Sequence, residues 1–227
     1  MPAKNRIKTY LENGIYHIYN RGVAKSEIFK DTQDHGVFLK YLKEALDSPQ
    51  IQGNHIITFS LRGRSFKAEA RKPKNFKEEI NLLAYCLMPN HFHLLIEQLT
   101  KDSMQSFMRS ISTRYAAYFN KKYNRVGPLF QGRYQAILVA KDEYLIHVSR
   151  YIHLNPFEFE KDITKAYSSY PEYLHMRNTT WVKPDKILAM FTNPTVMGIK
   201  KINNYKDFVE KYKVESSEIL GEMVLDS

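Results

Sequence analysis

The chain has 227 residues, of which 43% are hydrophobic, and it carries one cysteine and a formal net charge of +10 at neutral pH. This hydrophobic fraction is sufficient for a folded core and argues against a disordered chain. No apolar run approaches the roughly 18 residues of a membrane-spanning helix, and the first residues lack the apolar segment of a secretory signal. A single cysteine excludes an internal disulfide framework, so we expect a cytoplasmic protein without a membrane partner. The basic charge favours a polyanionic partner.

The first elements alternate between strand and helix. Residues 15–21, IYHIYNR, predict a strand on which His17 is more readily a sheet-surface histidine than a metal ligand. Asp31 or Thr32 is expected to begin a helix that runs to about Asp47, because its apolar residues follow a helical stripe. A possible strand at 55–61 leads into a basic insertion at about 62–77, predicted as a solvated loop or hairpin in preference to a nucleic-acid arm.

Residues 82–97, LLAYCLMPNHFHLLIE, predict two strands joined at Pro89–Asn90. Because side chains alternate along a strand, His91, His93 and Glu97 share one face and the other face is apolar. Two imidazoles that point the same way can hold a divalent metal, although sheet histidines often only form hydrogen bonds. Glu97 is either a third ligand or a surface carboxylate.

A segment without a single Asp or Glu follows, from Ser103 to Lys141. It holds seven basic residues, which are Arg109, Arg114, Lys121, Lys122, Arg125, Arg133 and Lys141. Met and aromatic residues at helical spacing predict a helix with a buried stripe, begun by a capping box at Asp102 and Gln105. Residues 133–139 predict a further strand. Basic groups without neighbouring acids suit the phosphates of a nucleic acid.

The last helix of this region is expected to be capped by Asp142 and ended by Pro156. Tyr151 and Asn155 are four residues apart, so their side chains share a helix face. Near two imidazoles, a phenol and an amide oxygen would form a phosphoryl-transfer site, and Arg150 would favour the phenolate. On spacing alone a core aromatic is the stronger interpretation of Tyr151, because the chain has 16 tyrosines.

The order of elements predicts an α+β fold, an antiparallel sheet with helices packed on one side. We expect residues 1–156 to form this domain and residues 157–227 to form a small, mostly helical extension without a chemical motif.

Several stretches resemble one known family. PNHFHLL at 89–95, GPLFQGRYQA at 127–136 and RYIHLNP at 150–156 are similar to motifs of the single-tyrosine HUH transposases, the IS200-like superfamily. The resemblance is closest to the REP-associated tyrosine transposases. The stretch YHIYNRG near the start also resembles the opening strand of that branch. The resemblance covers about residues 14–156, and AYSSYPEYL and WVKPDKIL resemble the helical tail of longer members.

The resemblance implies a ferredoxin-like HUH fold in which His91 and His93 bind a divalent metal, Mg²⁺ or Mn²⁺. It implies that Tyr151 is the nucleophile and Asn155 a third ligand, with Glu97 as the rival. Such enzymes cleave and rejoin single-stranded or hairpin DNA through a 5′-phosphotyrosine, and many are homodimers. Tyr115 and Tyr134 are the alternative nucleophiles if Tyr151 is not used. The DNA contacts are expected from Arg21, Arg114, Lys121, Lys122, Arg125, Arg133 and Arg150.

Two other functions stay open. A domesticated or non-catalytic DNA-binding protein could retain the fold, and the acid-free segment would serve it equally well. A metal-dependent phosphoesterase for small nucleotides would need a compact pocket with further ligands, and the basic stretch argues against it. The insertion at 62–77 and the long tail depart from shorter relatives and could alter which DNA is held.

Overall fold

The computed structural model describes residues 10–49, 56–61, 63–69, 72–192 and 204–211. Its strands are β1 (Gly14–Arg21), β2 (Ile56–Leu61), β3 (Arg64–Glu69), β4 (Ile80–Met88), β5 (His91–Gln98) and β6 (Gln135–Leu138). Its helices are α1 (Thr32–Leu46), α2 (Ser103–Lys122), α3 (Asp142–Leu154), α4 (Tyr170–Tyr173), α5 (Asp185–Thr192) and α6 (Tyr205–Lys211). Within these ranges, no helix is both long enough and apolar enough to cross a membrane.

Four strands form the central sheet, in the order β4-β5-β1-β6, and every neighbouring pair is antiparallel. With α1 after β1 and α2 after β5, the chain follows the β-α-β-β-α-β path of a ferredoxin-like unit. The predicted α+β fold is therefore confirmed. The strands β2 and β3 pair only with each other among the described strands, so the start of the basic insertion forms a hairpin with the strand predicted at 55–61.

Helices cover both faces of the sheet, not one. α1 and α2 pack on the face of Phe92 and Leu94. α3 and α6 pack on the opposite face, where Leu95 and Cys86 lie. The prediction of one covered face was wrong because β4 is apolar on both faces over Leu82–Met88, and a strand buried on both sides needs cover on both.

Only the first of three predicted helix caps is observed. The side chain of Asp31 accepts a hydrogen bond from the Asp34 amide at 2.9 Å, as an N-cap does. Asp102 has a left-handed backbone, with φ 65°, and its side chain makes no capping bond, so the capping-box prediction was wrong. Asp142 is also not the cap of α3, since Lys141 occupies the N-cap position and Asp142 is the first helical residue.

The described part of the tail contains the helices α4, α5 and α6, and it covers the outer edge of the sheet. Val182 forms a parallel bridge to Leu82, and Ser168 forms an antiparallel bridge to Cys86, both on edge strand β4. Covering an edge strand removes a site at which another chain could pair. Tail residues of α5 and α6 also share one buried cluster with α3. The tail therefore completes the core on the face that carries the two histidines of β5.

Candidate active site

His91 lies at the first position of β5, directly after the turn at Pro89–Asn90. Its side chain is almost fully buried, and its Nδ1 is 2.6 Å from Asn90 Oδ1. An amide oxygen only accepts, so Nδ1 carries the hydrogen, and in the neutral imidazole that binds metals Nε2 then presents a lone pair. That Nε2 faces Asn155 Oδ1 at 3.4 Å. Two acceptor atoms that face each other at this separation are suited to sharing a cation.

His93 is fully buried two residues further along the same strand face. Its ring is perpendicular to that of His91, with centroids 4.9 Å apart. Burial, and then the neighbouring His17, His91 and Arg21, hold the pKa of His93 well below its usual value. The imidazole is therefore neutral, the form that binds a metal. Its Nε2 has no hydrogen-bond partner among the described residues.

Helix α3 brings Tyr151 and Asn155 to the two histidines. The half-buried ring of Tyr151 meets the His93 ring edge-on, with centroids 5.4 Å apart. Asn155 is the C-cap of α3, one turn after Tyr151, and contacts His91 as described above. The i, i+4 spacing therefore places the phenol beside one histidine and the amide beside the other.

Glu97, the rival third ligand, lies near the far end of β5, away from the two histidines. Its Oε1 accepts a hydrogen bond from Lys186 Nζ at 2.5 Å, and its Oε2 accepts one from Asn81 at 2.9 Å. Four residues of extended chain separate it from His93, a span of about 13 Å. Among the described residues, no group of three or more His, Cys, Asp and Glu side chains could hold a metal ion. The donors that converge are two imidazoles and one amide oxygen.

Three of the predicted DNA contacts are engaged within the protein. Arg114 forms an ion pair with Glu44 and lies over the Tyr41 ring at 3.9 Å. Arg150 is buried, and its Nε donates to the Phe208 carbonyl in α6 at 2.9 Å. Such side chains cannot turn to DNA without breaking these internal contacts, so their role as DNA contacts stays a prediction that the internal contacts disfavour.

Lys122 is the third of them. It forms ion pairs with Asp31 and Asp34 at 2.7 and 2.8 Å, which join α2 to α1. Its charge is therefore balanced by two carboxylates and contributes little to a phosphate-binding surface.

The four other predicted DNA contacts differ in their exposure to solvent and in their distance from the histidines. Lys121 and Arg133 are exposed. Arg125 is half-buried, and its Nη1 donates to Asn120 Oδ1 at 3.1 Å. Arg21 is half-buried and lies directly opposite His91 in the β1–β5 register. Of the predicted cations, Arg21 is therefore the one placed beside the histidine pair.

Two β1 residues at this site were missed from the sequence. His17 Nε2 is 2.9 Å from His93 Nδ1, and the Tyr19 ring lies 6.0 Å from the His93 ring. Alternation places His17 and Tyr19 on one face of β1, but alternation alone does not show which strand lies next to β1 or in which register. The β1–β5 pairing, which sets Tyr19 opposite His93, decides this.

The two alternative nucleophiles, Tyr115 and Tyr134, pack in the cluster on the α1–α2 face of the sheet, opposite the face of the histidines. Tyr115 is buried on the α1–α2 face, where its hydroxyl donates to the Ile28 carbonyl. The Tyr134 hydroxyl lies 3.4 Å from that of Tyr10. Burial raises the pKa of both phenols.

Comparison with known proteins finds a similar family and a similar fold. A sequence model of the family described as "Transposase IS200 like" matches residues 66–155, the span that contains both histidines, Tyr151 and Asn155. A solved structure of a REP-associated tyrosine transposase bound to a REP hairpin shares the fold, with a TM-score of 0.52 and 12% sequence identity. The similarity covers 80% of this chain and 98% of that one. No curated protein sequence matches the chain. The predicted resemblance to the IS200-like transposases is thus confirmed over residues 66–155, and the fold is shared with a REP-associated tyrosine transposase.

Proposed function

We propose that this protein is a metal-dependent DNA transposase that cleaves and rejoins single-stranded or hairpin DNA through a tyrosine nucleophile. The observation that carries the proposal is the convergence of Tyr151 and Asn155 from α3 on His91 and His93 of β5. The family match over the same residues supports it, and so does the fold shared with a transposase whose structure contains a DNA hairpin.

The donor atoms fit a divalent cation. Burial holds His93 as a neutral imidazole, its Nε2 has no hydrogen-bond partner among the described residues, and His91 Nε2 lies 3.4 Å from the amide oxygen of Asn155. Three protein donors leave open positions for water and substrate, and imidazole is softer than the oxygen ligands that Mg²⁺ prefers. Of the two expected cations, Mn²⁺ suits this donor set better. We assign Asn155 rather than Glu97 as the third ligand, because Glu97 is paired with Lys186.

The reaction that these residues support is an in-line transfer. Tyr151 Oη attacks the phosphorus of a phosphodiester, its new bond to phosphorus forms, and the bond from phosphorus to O3′ breaks. The phenol proton is in effect passed to the departing oxygen, which leaves as a free 3′-OH, and the 5′-phosphate stays on Tyr151. A bound divalent cation would neutralise charge on the non-bridging phosphate oxygens. The phosphotyrosine retains the energy of the cleaved bond, so attack by a 3′-OH rejoins the strand without ATP.

The surroundings of Tyr151 favour this role. A free phenol has a pKa of about 10, so the nucleophile needs positive charge nearby to lose its proton. Arg21, opposite His91, is the cation that the fold places on this face. The formal charge of +10 and the exposed Lys121 and Arg133 would attract the DNA backbone.

A covalent-adduct assay tests the proposal. End-labelled hairpin DNA from a randomised library, incubated with the protein and Mn²⁺ or Mg²⁺, is expected to form an adduct that survives denaturation. Tyr151→Phe should abolish it. Tyr19→Phe is the matched control, because it removes the other phenol near His93 and should leave adduct formation intact. An adduct that persists in Tyr151→Phe and disappears in Tyr19→Phe would move the nucleophile to β1.

The same assay separates catalysis from binding. His91→Ala should abolish the adduct but retain most of the DNA affinity, because phosphate contacts supply most of that affinity. If wild-type protein binds hairpin DNA and yields no adduct with any library sequence, the protein is a DNA-binding protein that retains the fold. A homodimer and a cytoplasmic location stay predictions, the first of which light scattering in solution would test.

A further inference from the structure

We propose that His17 is a positioning residue that holds His93 in the tautomer whose Nε2 lone pair faces the site. The inference rests on the proposed function, since it assumes that His93 binds a divalent cation. Sequence alone favoured a sheet-surface histidine at this position. The structure instead buries His17 completely.

The contact between the two rings is close and enclosed. His17 Nε2 lies 2.9 Å from His93 Nδ1, and the rings are nearly parallel, with an interplanar angle of 20°. Both side chains have no exposed surface. The Tyr151 ring meets both of them edge-on, with centroids 5.9 Å from His17 and 5.4 Å from His93. Neither imidazole can therefore rotate without displacing the other or the proposed nucleophile.

The direction of this hydrogen bond follows from the other end of the His93 ring. If His17 donated, His93 would carry its hydrogen on Nε2, where a buried N–H would lack an acceptor. If His93 donates from Nδ1, its Nε2 carries a lone pair instead. Either form leaves Nε2 unsatisfied among the described residues, which costs stability until a ligand binds there. Only the lone pair can be satisfied by a cation, so His93 donates and His17 accepts.

His91 follows the same design. Its Nδ1 donates to Asn90 Oδ1 at 2.6 Å, and its Nε2 faces Asn155. Both histidines are thus anchored through Nδ1, which leaves Nε2 of each as the atom that can bind a cation. Metal-bound histidines in proteins commonly donate their second ring N–H to a fixed acceptor, which sets the tautomer and the ring orientation. His17 supplies that acceptor for His93, as Asn90 does for His91.

The position of the acceptor atom provides a matched set of variants. The terminal amide of a glutamine reaches about as far from the backbone as Nε2 of histidine, so His17→Gln retains an acceptor near the right place. His17→Asn keeps an amide but shortens its reach by one carbon. His17→Leu fills part of the space without any acceptor.

The test measures cation binding without DNA or turnover. Mn²⁺ affinity is determined from the electron paramagnetic resonance signal of the free ion, for wild-type protein and the three variants. Loss of a residue that orients a metal ligand typically weakens metal affinity by about 10- to 100-fold. We expect that loss in His17→Leu and His17→Asn, with His17→Gln close to wild type. Melting temperature and metal-free DNA affinity are measured alongside, to show that each variant is folded.

Nitrogen-15 spectra of the imidazoles in metal-free wild-type protein give an independent readout that needs no variant. His93 is expected to be protonated at Nδ1 and not at Nε2. A proton on Nε2, or Mn²⁺ affinity unchanged in folded His17→Leu, would overturn the proposal. If cation binding and tautomer are as expected but no adduct forms with DNA, the proposed function fails and the role of His17 stands.

Discussion

The two histidines of β5 are both buried, yet each depends on a different neighbour. His91 is held by Asn90 in the adjoining turn, a contact between consecutive residues. His93 is held by His17, which lies 76 positions earlier in the chain. A local partner is available as soon as the turn forms, whereas the distant partner requires the correct register of β1 on β5. The integrity of the site therefore depends on the central strand pair.

Asp34 is the buried carboxylate with the most partners in the α1–α2 contact. It accepts hydrogen bonds from Lys122 Nζ, the Lys30 amide and the hydroxyls of Tyr118 and Tyr123, at 2.8 to 2.9 Å. Burial alone would raise the pKa of Asp34, but these bonds outweigh it and lower the pKa below its ordinary value. Because the folded pKa is depressed, the stabilisation is present above the unfolded pKa of about 3.9 and is lost as the pH falls through the folded value.

Asp34→Asn is expected to destabilise the protein at neutral pH, because Lys122 loses a charged partner. The expected cost is about 1–3 kcal/mol, the size of a hydrogen bond to a charged group. Below about pH 4 the difference between variant and wild type should shrink, because the wild-type carboxylate becomes protonated. Urea unfolding at pH 7 and pH 3 measures both effects. Exposed Glu27→Gln serves as the control and should stay within about 0.5 kcal/mol of wild type. A pH-independent difference would show that charge on Asp34 is not the cause.

At the scale of elements, α3 is fixed between the sheet and the tail. His153, on α3, is fully buried, with Nδ1 2.7 Å from the Tyr205 hydroxyl and Nε2 2.8 Å from Ser169 Oγ. Burial lowers the pKa of His153 to about 3, so it is neutral at physiological pH. The Tyr205 hydroxyl also donates to Ser149 Oγ at 3.0 Å. This polar network ties the helix that carries Tyr151 to α6.

Tyr205→Phe should therefore loosen α3 and lower stability. The substitution keeps the buried ring but leaves His153 and Ser149 without the hydroxyl, so we expect a loss of about 1–3 kcal/mol in the free energy of unfolding. Amide hydrogen exchange should also become faster in α3 and stay unchanged in α1. Met176→Ala, on an exposed tail residue, is the control and should change stability by less than about 0.5 kcal/mol. Unaltered exchange in α3 would mean that the apolar contacts of the tail alone hold this helix.

Three helices lie in the described part of the predicted extension, but its position relative to the sheet could not be predicted from the sequence. No sequence pattern in residues 157–227 predicts that Val182 and Ser168 form bridges to β4. Edge coverage depends on the path of the chain in space, which composition does not encode. For the basic insertion the form could be predicted, since a hairpin was one of the two expected, but its role in DNA binding stays a prediction.

At the scale of the whole molecule, the basic residues behind the net charge of +10 differ in how available they are to a phosphate. Arg114 and Lys122 are paired with carboxylates, and Arg150 is buried against α6. Exposed cations such as Lys121 and Arg133 are available to phosphate. Counting basic residues therefore overestimates the DNA-binding surface, because a paired cation releases few counterions from DNA.

This difference predicts how salt affects DNA binding. Each phosphate contact removed should reduce the slope of log affinity against log salt concentration by about one. Lys121→Gln and Arg133→Gln are expected to do so without a change in stability. Arg114→Gln is expected to lower stability and leave the slope unchanged. Fluorescence anisotropy with labelled hairpin DNA at several salt concentrations gives the slopes. Equal slopes for all three variants and wild type would place the DNA on another surface.

The sequence by itself determined the class of fold, the paired histidines on one strand face and the helix that carries Tyr151 and Asn155. These features follow from periodicity and short spacing, which local geometry governs. Tertiary structure alone decided which side chains meet: Asn155 beside His91, His17 beside His93, and Glu97 with Lys186. These contacts join residues far apart in the chain, so they depend on strand register and on the packing of α3, which no local pattern specifies.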